Sequence, residues 1–305
     1  MKKLLILGCM LLGVSSMQAQ TQSQEWNEWN GNNIFEHVGV GVGFGLTGIT
    51  IDVGSDITDY LTIRGGMDIF PSVSQDFDVK IGFESSFERS LVPTSYNLPG
   101  NKVKIEGKTG LGAGHLLFDI HPFKNAFRIT TGLYFGKEEI ITVENKDNND
   151  FLGIANWNRD VTAFNETGTK APGLAGIPGL GTAITELPRL GLEMSDYFLA
   201  PDNNGHVDAS IRVNKVRPYI GLGVGRMVPK KSRLTCNFDF GVQFWGKPEI
   251  YLNGIDGEKK LEKKDLGNDG DDVLDILSKI TVYPQLTVRL VGRIFYSENI
   301  RPSFM

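Results

Sequence analysis

The chain has 305 residues, a formal charge of −5, 40% hydrophobic residues and 37 glycines. Beyond the N-terminal segment it carries no apolar run long enough for a membrane helix, which excludes a helical membrane bundle. Its basic residues are scattered through an acidic chain, which excludes a nucleic-acid partner.

Residues 1–19, "MKKLLILGCMLLGVSSMQA", place two lysines before an apolar run and end on small and polar residues. This is the pattern of a secretory signal peptide cleaved after Ala19. The apolar run continues past Cys9, so "LILGC" is not taken as a lipoprotein signal. Cleavage removes Lys2 and Lys3 and moves the charge from −5 to −7. Cys236 is then the remaining cysteine, and one cysteine forms no internal disulfide. Residues 20–36 read as a polar leader.

From His37 onward the chain alternates. Val38, Val40, Val42, Phe44 and Leu46 occupy even positions, then Ile49, Ile51 and Val53 occupy odd ones. A one-residue bulge or a tight turn at Gly48 would produce this parity change, because side chains of a strand point to opposite faces in turn. "DYLTIRGGMDIF" sets Leu61, Ile63, Met67 and Ile69 against Thr62, Arg64 and Asp68. "GHLLFDIHPF" sets Leu116, Phe118 and Ile120 against His115, Asp119 and His121, with Leu117 out of pattern. "FRITTGLYFG" sets Phe127, Ile129, Leu133 and Phe135 against Arg128, Thr130, Gly132 and Tyr134. "VRPYIGLGVG" sets Ile220, Leu222 and Val224 against Tyr219 and glycines. "RLTCNFDFGVQFWGK" sets Leu234, Cys236, Phe238, Phe240, Val242 and Phe244 against Thr235, Asn237, Asp239, Gly241, Gln243 and Trp245. "YPQLTVRLVGRIF" sets Leu286, Val288, Leu290 and Ile294 against Gln285, Thr287, Arg289 and Arg293. Strict alternation marks strands with one apolar face.

Connections come in two sizes. Short ones follow Gly54, Phe123 and Met227; long ones cover 71–100, 144–206 and 251–279. Transmembrane barrels sort tight turns to one side and long loops to the other. The second face of the strands is also unlike a wet surface: it carries Gly, Thr, Tyr and Gln, with charges of both signs. Those charges, Arg64, Asp68, Asp119, Arg128, Asp239, Arg289 and Arg293, are assigned to a pairing network in a polar lumen. Phe238, Phe240, Phe244, Leu286, Val288 and Leu290 are assigned to lipid, and aromatic residues near strand ends suit interface girdles. Cys236 is then a small outward residue, not a nucleophile.

Three stretches, "HLLFDIHPFKNAFRITTGLYFG", "VRPYIGLGVGRMVPKKSRLTCNFDFGVQFWGKPEI" and "KITVYPQLTVRLVGRIF", resemble an uncharacterised family of Gram-negative outer-membrane β-barrel proteins of the porin-like superfamily. They cover about a quarter of the chain. The resemblance implies export, a barrel and insertion by the barrel-assembly machinery, and brings no known activity. That machinery reads a terminal aromatic, which here must be Phe295 or Phe304, since Phe295 is followed by ten residues.

The fold class expected is all-β, an antiparallel transmembrane up-and-down barrel over 37–296 with a tail at 297–305. Seven strands start near 37, 57, 101, 125, 207, 232 and 280. An eighth comes from the break at Gly48 or from a long loop; ten are possible. Eight strands leave an interior filled by side chains.

Three further features remain. His115, Asp119 and His121 share a face, the residue types of a lipid-modifying enzyme, although His121 lies beside a short turn; a lumen hydrogen-bond network is the plainer reading. "DLGNDGDD" (265–272) spaces Asp265 and Asp269 like the opening of a calcium loop. Its third position is Gly267 and its closing position Ile276, so the ligand set is incomplete. "DDVLDILSKI" reads as a short amphipathic helix. Residues 171–201, rich in Gly, Pro and apolar residues, form a lid, a plug, a partner site or a floppy loop.

The reading is a non-enzymatic outer-membrane barrel with a largely filled polar lumen and a structural, small-solute or surface-binding role. It needs no cofactor or metal. Its partners are outer-membrane lipid, the assembly machinery and an unidentified external molecule. The alternatives are a soluble exported barrel holding an apolar ligand against Phe238, Phe240 and Phe244, and an outer-membrane lipid-modifying enzyme.

Overall fold

A computed structural model describes residues 37–147, 149–194, 197–230, 232–262 and 279–296. The signal segment, the leader, Asp265, Asp269, the segment "DDVLDILS" and Phe304 lie outside these residues.

Strand β1 (His37–Gly45) turns tightly at Leu46 and Thr47 into β2 (Gly48–Thr58). Gly45 pairs with Gly48, and Gly48 has a φ of 94°. That left-handed backbone favours glycine. The parity change is therefore a hairpin, and it supplies the eighth strand. "SDIT" after Gly54 belongs to β2; the turn follows at Asp59 and Tyr60. Strand β3 (Leu61–Ile69) returns, and the chain leaves the barrel as β4 (Ser74–Phe83). It comes back through β5 (Lys102–Thr109) into β6 (Ala113–Ile120). Strand β7 (Phe127–Gly136) leads out into β8 (Glu139–Asn145) and helix α1 (Asn149–Thr167). The hairpin β9 (Leu190–Met194) and β10 (Tyr197–Leu199) follows, then β11 (Asp208–Arg212) leads back into β12 (Val216–Val224). Strand β13 (Leu234–Phe244) leads out into β14 (Glu249–Gly254) and β15 (Gly257–Lys260), and β16 (Val282–Tyr296) closes the barrel on β1.

The barrel is closed and antiparallel, with strands in the order β1-β16-β13-β12-β7-β6-β3-β2, an up-and-down meander of eight. Its strands run from 8 to 15 residues, against about 9–11 for a tilted strand crossing a bilayer. No described helix is long and apolar enough to cross a membrane. One end carries three short connections and the start of β1; the other carries the β1–β2 turn and the three long connections.

Where they are described, those long connections are folded rather than looped. They form a second sheet, β10-β9-β4-β5-β8-β11-β14-β15. The run β4-β5-β8-β11-β14 repeats the order β3-β6-β7-β12-β13, because each of these barrel strands continues past the barrel rim. Two expected barrel strand starts, near 101 and 207, are the starts of β5 and β11 in this outer sheet. It forms a cap with its own hydrophobic core. Phe151, Ile154, Trp157, Val161 and Phe164 of α1 pack with Ile81, Val103, Ile105 and Leu252 of the sheet. Segment 171–201 supplies Leu174, Ile177, Leu180, Leu187, Leu190, Leu192 and Leu199 to the same core. It neither enters the barrel nor floats free, because burying that many apolar side chains outweighs the entropy of a mobile loop. Two helix asparagines hold it. Asn158 and Asn165 each exchange two hydrogen bonds, of 2.7–3.0 Å, with the backbone of Leu190 and Leu187.

Trp157 is the centre of this core. Its ring meets Tyr96 edge-on at 5.3 Å and Phe83 at 6.3 Å, and its Nε1 donates to Pro188 O at 3.1 Å. Burial and the bond to Asp160 hold the Tyr96 phenol well above its ordinary range, hence protonated. Trp157→Ala should cost the cap about 3–5 kcal/mol. Proteolysis should then cut within 84–101 and 149–189 while the barrel keeps its altered mobility on unheated gels.

Candidate functional site

Each barrel strand divides its side chains between two environments. The outer face exposes apolar residues: Phe44 is 70%, Phe240 62% and Leu290 59% exposed, with Phe238, Phe244, Leu286 and Val288 beside them. Cys236 is half-buried on the same face. The inner face buries charge. Arg64, Asp68, Asp119, Arg128, Asp239 and Arg289 are each no more than 4% exposed.

Five of them, one from each of five strands, meet there. Strands β3 and β13 stand diametrically opposite in the barrel, four strands apart either way round. Yet Arg64 of β3 donates to Asp239 of β13 at 3.3 Å. Arg128 of β7 reaches the other oxygen of Asp239 at 2.6 Å, and Arg289 of β16 meets the same oxygen as Arg64. Asp119 lies 3.2 Å from Arg64 and takes a 2.6 Å hydrogen bond from Thr130. Three guanidinium groups from three walls thus converge on one carboxylate and cross the whole bore. Above them, Arg289 Nε bonds Asp52 at 2.5 Å, and His115 Nε2 lies 2.6 Å from the same carboxylate. Asp68 stands 3.8 Å from His115 Nδ1 and accepts from Thr47 at 2.7 Å and Gln285 at 3.3 Å. Gln243 donates to Gln285 at 2.5 Å below the cap. Leu117, out of pattern in the sequence, points inward with Ala113, Tyr134 and Tyr219 as a small apolar patch.

The bore can be this crowded because the inner wall carries glycine. A Cβ on Gly223 would stand 2.7 Å from Asp239 Oδ1 and 2.8 Å from Arg128 Nε. At Gly43 it would stand 2.5 Å from Arg289 Cγ. Any larger residue at either position would displace an ion pair.

Arg293, which the sequence pattern groups with these charges, sits half-buried further along β16, opposite Gly39. Asp52, His115 and Gln285 complete the layer. Asp52 was legible as the one acid on the non-apolar face of "ITIDV". His115 and His121 are both buried, and neither ring bonds a serine hydroxyl among the described residues. No described group of three or more His, Cys, Asp or Glu is placed to hold a metal ion.

No family model matches the chain, and no curated protein matches it. Among solved structures it is similar to CarO of Acinetobacter baumannii, at 13% identity and a TM-score of 0.39 over 86% of this chain and 99% of that one. It is similar to CarO2 of the same organism, at 15% identity and 0.39 over 86% and 100%. A major outer membrane protein from Thermus thermophilus matches at 11% identity and 0.34 over 85% and 98%.

Chemically, the layer is a set of mutually neutralising charges. Removing one partner of a buried ion network strands the others and costs about 3–5 kcal/mol. Asp239→Ala leaves Arg64, Arg128 and Arg289 facing one another and should lower barrel stability by that amount in a urea titration. Gly223→Val should have a similar effect by pushing Asp239 and Arg128 apart, with every charge of the layer still present.

Proposed function

We propose that the protein is a non-enzymatic barrel of the Gram-negative outer membrane whose bore is closed and whose cap displays a binding surface outside the cell. The observation that carries this reading is the inversion of the barrel: ionised groups fill its interior and large apolar side chains cover its exterior. A soluble protein rarely leaves contiguous apolar area of that extent in water. In lipid the same belt is the stable arrangement, and closure of the sheet leaves no open strand edge. Phe238, Phe240, Phe244, Leu286, Val288 and Leu290 then face acyl chains, and the barrel-assembly machinery inserts the chain. Phe123, 71% exposed, with Phe127 at a ring-centroid distance of 6.1 Å, suits the interface at the short-turn end.

The alternative of an apolar ligand inside a soluble barrel needs Phe238, Phe240 and Phe244 around a cavity. They stand on the outside instead. A lipid-modifying role needs His115 or His121 at a surface, and both are enclosed. With the bore crossed by Arg64 and Asp239, a structural and surface-binding role fits better than passage of small solutes.

Phe240→Arg should cost about 2–4 kcal/mol at mid-membrane and shift the protein from the heat-modifiable, membrane-bound fraction to a misassembled one. Wild-type protein in planar bilayers should give no steady conductance. Recovery of the native chain in the soluble periplasm, or a stable open channel, would overturn the reading.

A further inference from the structure

The connection between β12 and β13, residues 225–233, is not a surface turn like its neighbours. Phe123, in the β6–β7 turn of the same end, is 71% exposed. Arg226, Met227 and Val228 are 7%, 1% and 0% exposed. They are buried because the connection folds into the bore and crosses it to the opposite wall. A Cβ on Gly39 would stand 1.8 Å from the Met227 carbonyl oxygen, and one on Gly54 2.5 Å from Met227 Cγ. Met227 Cε reaches to 3.2 Å from the same atom on Gly41. Strands β1 and β2 have thus kept glycine where this segment lies against them. Its first residue is tied to the charge layer, since Arg128 donates to the Gly225 carbonyl.

The β2–β3 turn fastens the segment, with the buried Asp56 carboxylate also facing Arg226 and Lys230. Asp59, in the β2–β3 turn, accepts from Lys230 Nζ at 2.6 Å, and its backbone carbonyl accepts from Arg226 Nη2 at 3.1 Å. Lys124 of the β6–β7 turn lies 3.6 Å from the other Asp59 oxygen and 4.7 Å over the Tyr60 ring. All three connections of this end meet at Asp59.

We propose that residues 226–229 are a plug in the short-turn end of the barrel and that Asp59 is its latch. The plug is a second closure in series with the Arg64–Asp239 crossing. Releasing it opens a vestibule that stops at the charge layer, and gives no through-path. The latch is partly exposed, with side chains 35% and 30% accessible at Asp59 and Lys230, so it responds to salt as well as to mutation. The inference rests on the packing of the interior and holds whether the outer face meets lipid or water.

The test uses the full chain, folded in detergent, with Cys9→Ser, Cys236→Ser and a reporter at Asn237→Cys. Asn237 is fully buried behind Gly225, and its amide makes no hydrogen bond that the change would remove. A water-soluble maleimide should label the reporter slowly in the latched protein and at least tenfold faster after Asp59→Ala or Lys230→Ala. Gly39→Ala, which displaces Met227 from the opposite wall, should act in the same way without touching the latch. Planar-bilayer conductance should stay absent in all three. Retention of the unheated gel shift certifies that each variant is folded; if Gly39→Ala is not, the two latch variants decide. Equal labelling rates in latched and unlatched proteins, or rapid labelling in the latched one, would overturn the plug. A steady conductance in a latch variant would overturn the two closures in series.

Discussion

Arg64 and Asp239 belong to strands on opposite sides of the barrel, and their side chains touch at 3.3 Å. Everything else in the interior follows from that span. Two long charged groups reach each other across an eight-stranded barrel because glycines such as Gly43 and Gly223 leave room for the charge layer on the inner wall. Once those charges are taken out of water, each must be matched, and the matching draws in Arg128, Arg289, Asp119, Asp52 and His115. A wider barrel could not make these contacts, and a narrower one could not hold them.

The cap obeys the opposite rule with the same strands. Above the rim, β4, β5, β8, β11 and β14 turn apolar side chains inward and charged ones outward, and α1 fills the hollow between them. The chain therefore reverses its inside and outside within a few residues of that rim. At the barrel it is polar within and apolar without; in the cap it has an ordinary core. Under the proposed membrane reading, this reversal falls where the solvent changes from one that cannot hydrogen-bond to one that can. The barrel and the cap also divide the work. The barrel supplies rigidity and position, and the cap supplies a large folded surface carried on continuous strands rather than on flexible tethers.

Much of the barrel was legible because its signal is local. Alternation along "NFDFGVQF" or "LTVRL" depends on neighbours two residues apart, and the pleat converts it directly into two faces. The break at Gly48 was legible as a change of parity, although a bulge and a hairpin produce the same change. The cap was not read, for two reasons. Its strands prolong barrel strands, so their boundaries blend. Helix α1 sits inside what looked like a long loop, although Phe151, Ile154, Trp157, Val161 and Phe164 recur at helical spacing. The burial of Met227 was invisible: nothing in "RMVPKKS" distinguishes a turn that bends into the bore from one that bends away.

The amino-acid sequence by itself determined the two faces of the barrel strands and the set of charges on one of them, since both depend on periodicity and composition. Only the tertiary structure decided which charge meets which, that the bore is crossed and plugged, and that the long connections form a second core. Those outcomes depend on shear, on strand neighbours and on distances across a closed barrel, which join residues as far apart as Arg64 and Asp239 and have no local trace in the chain.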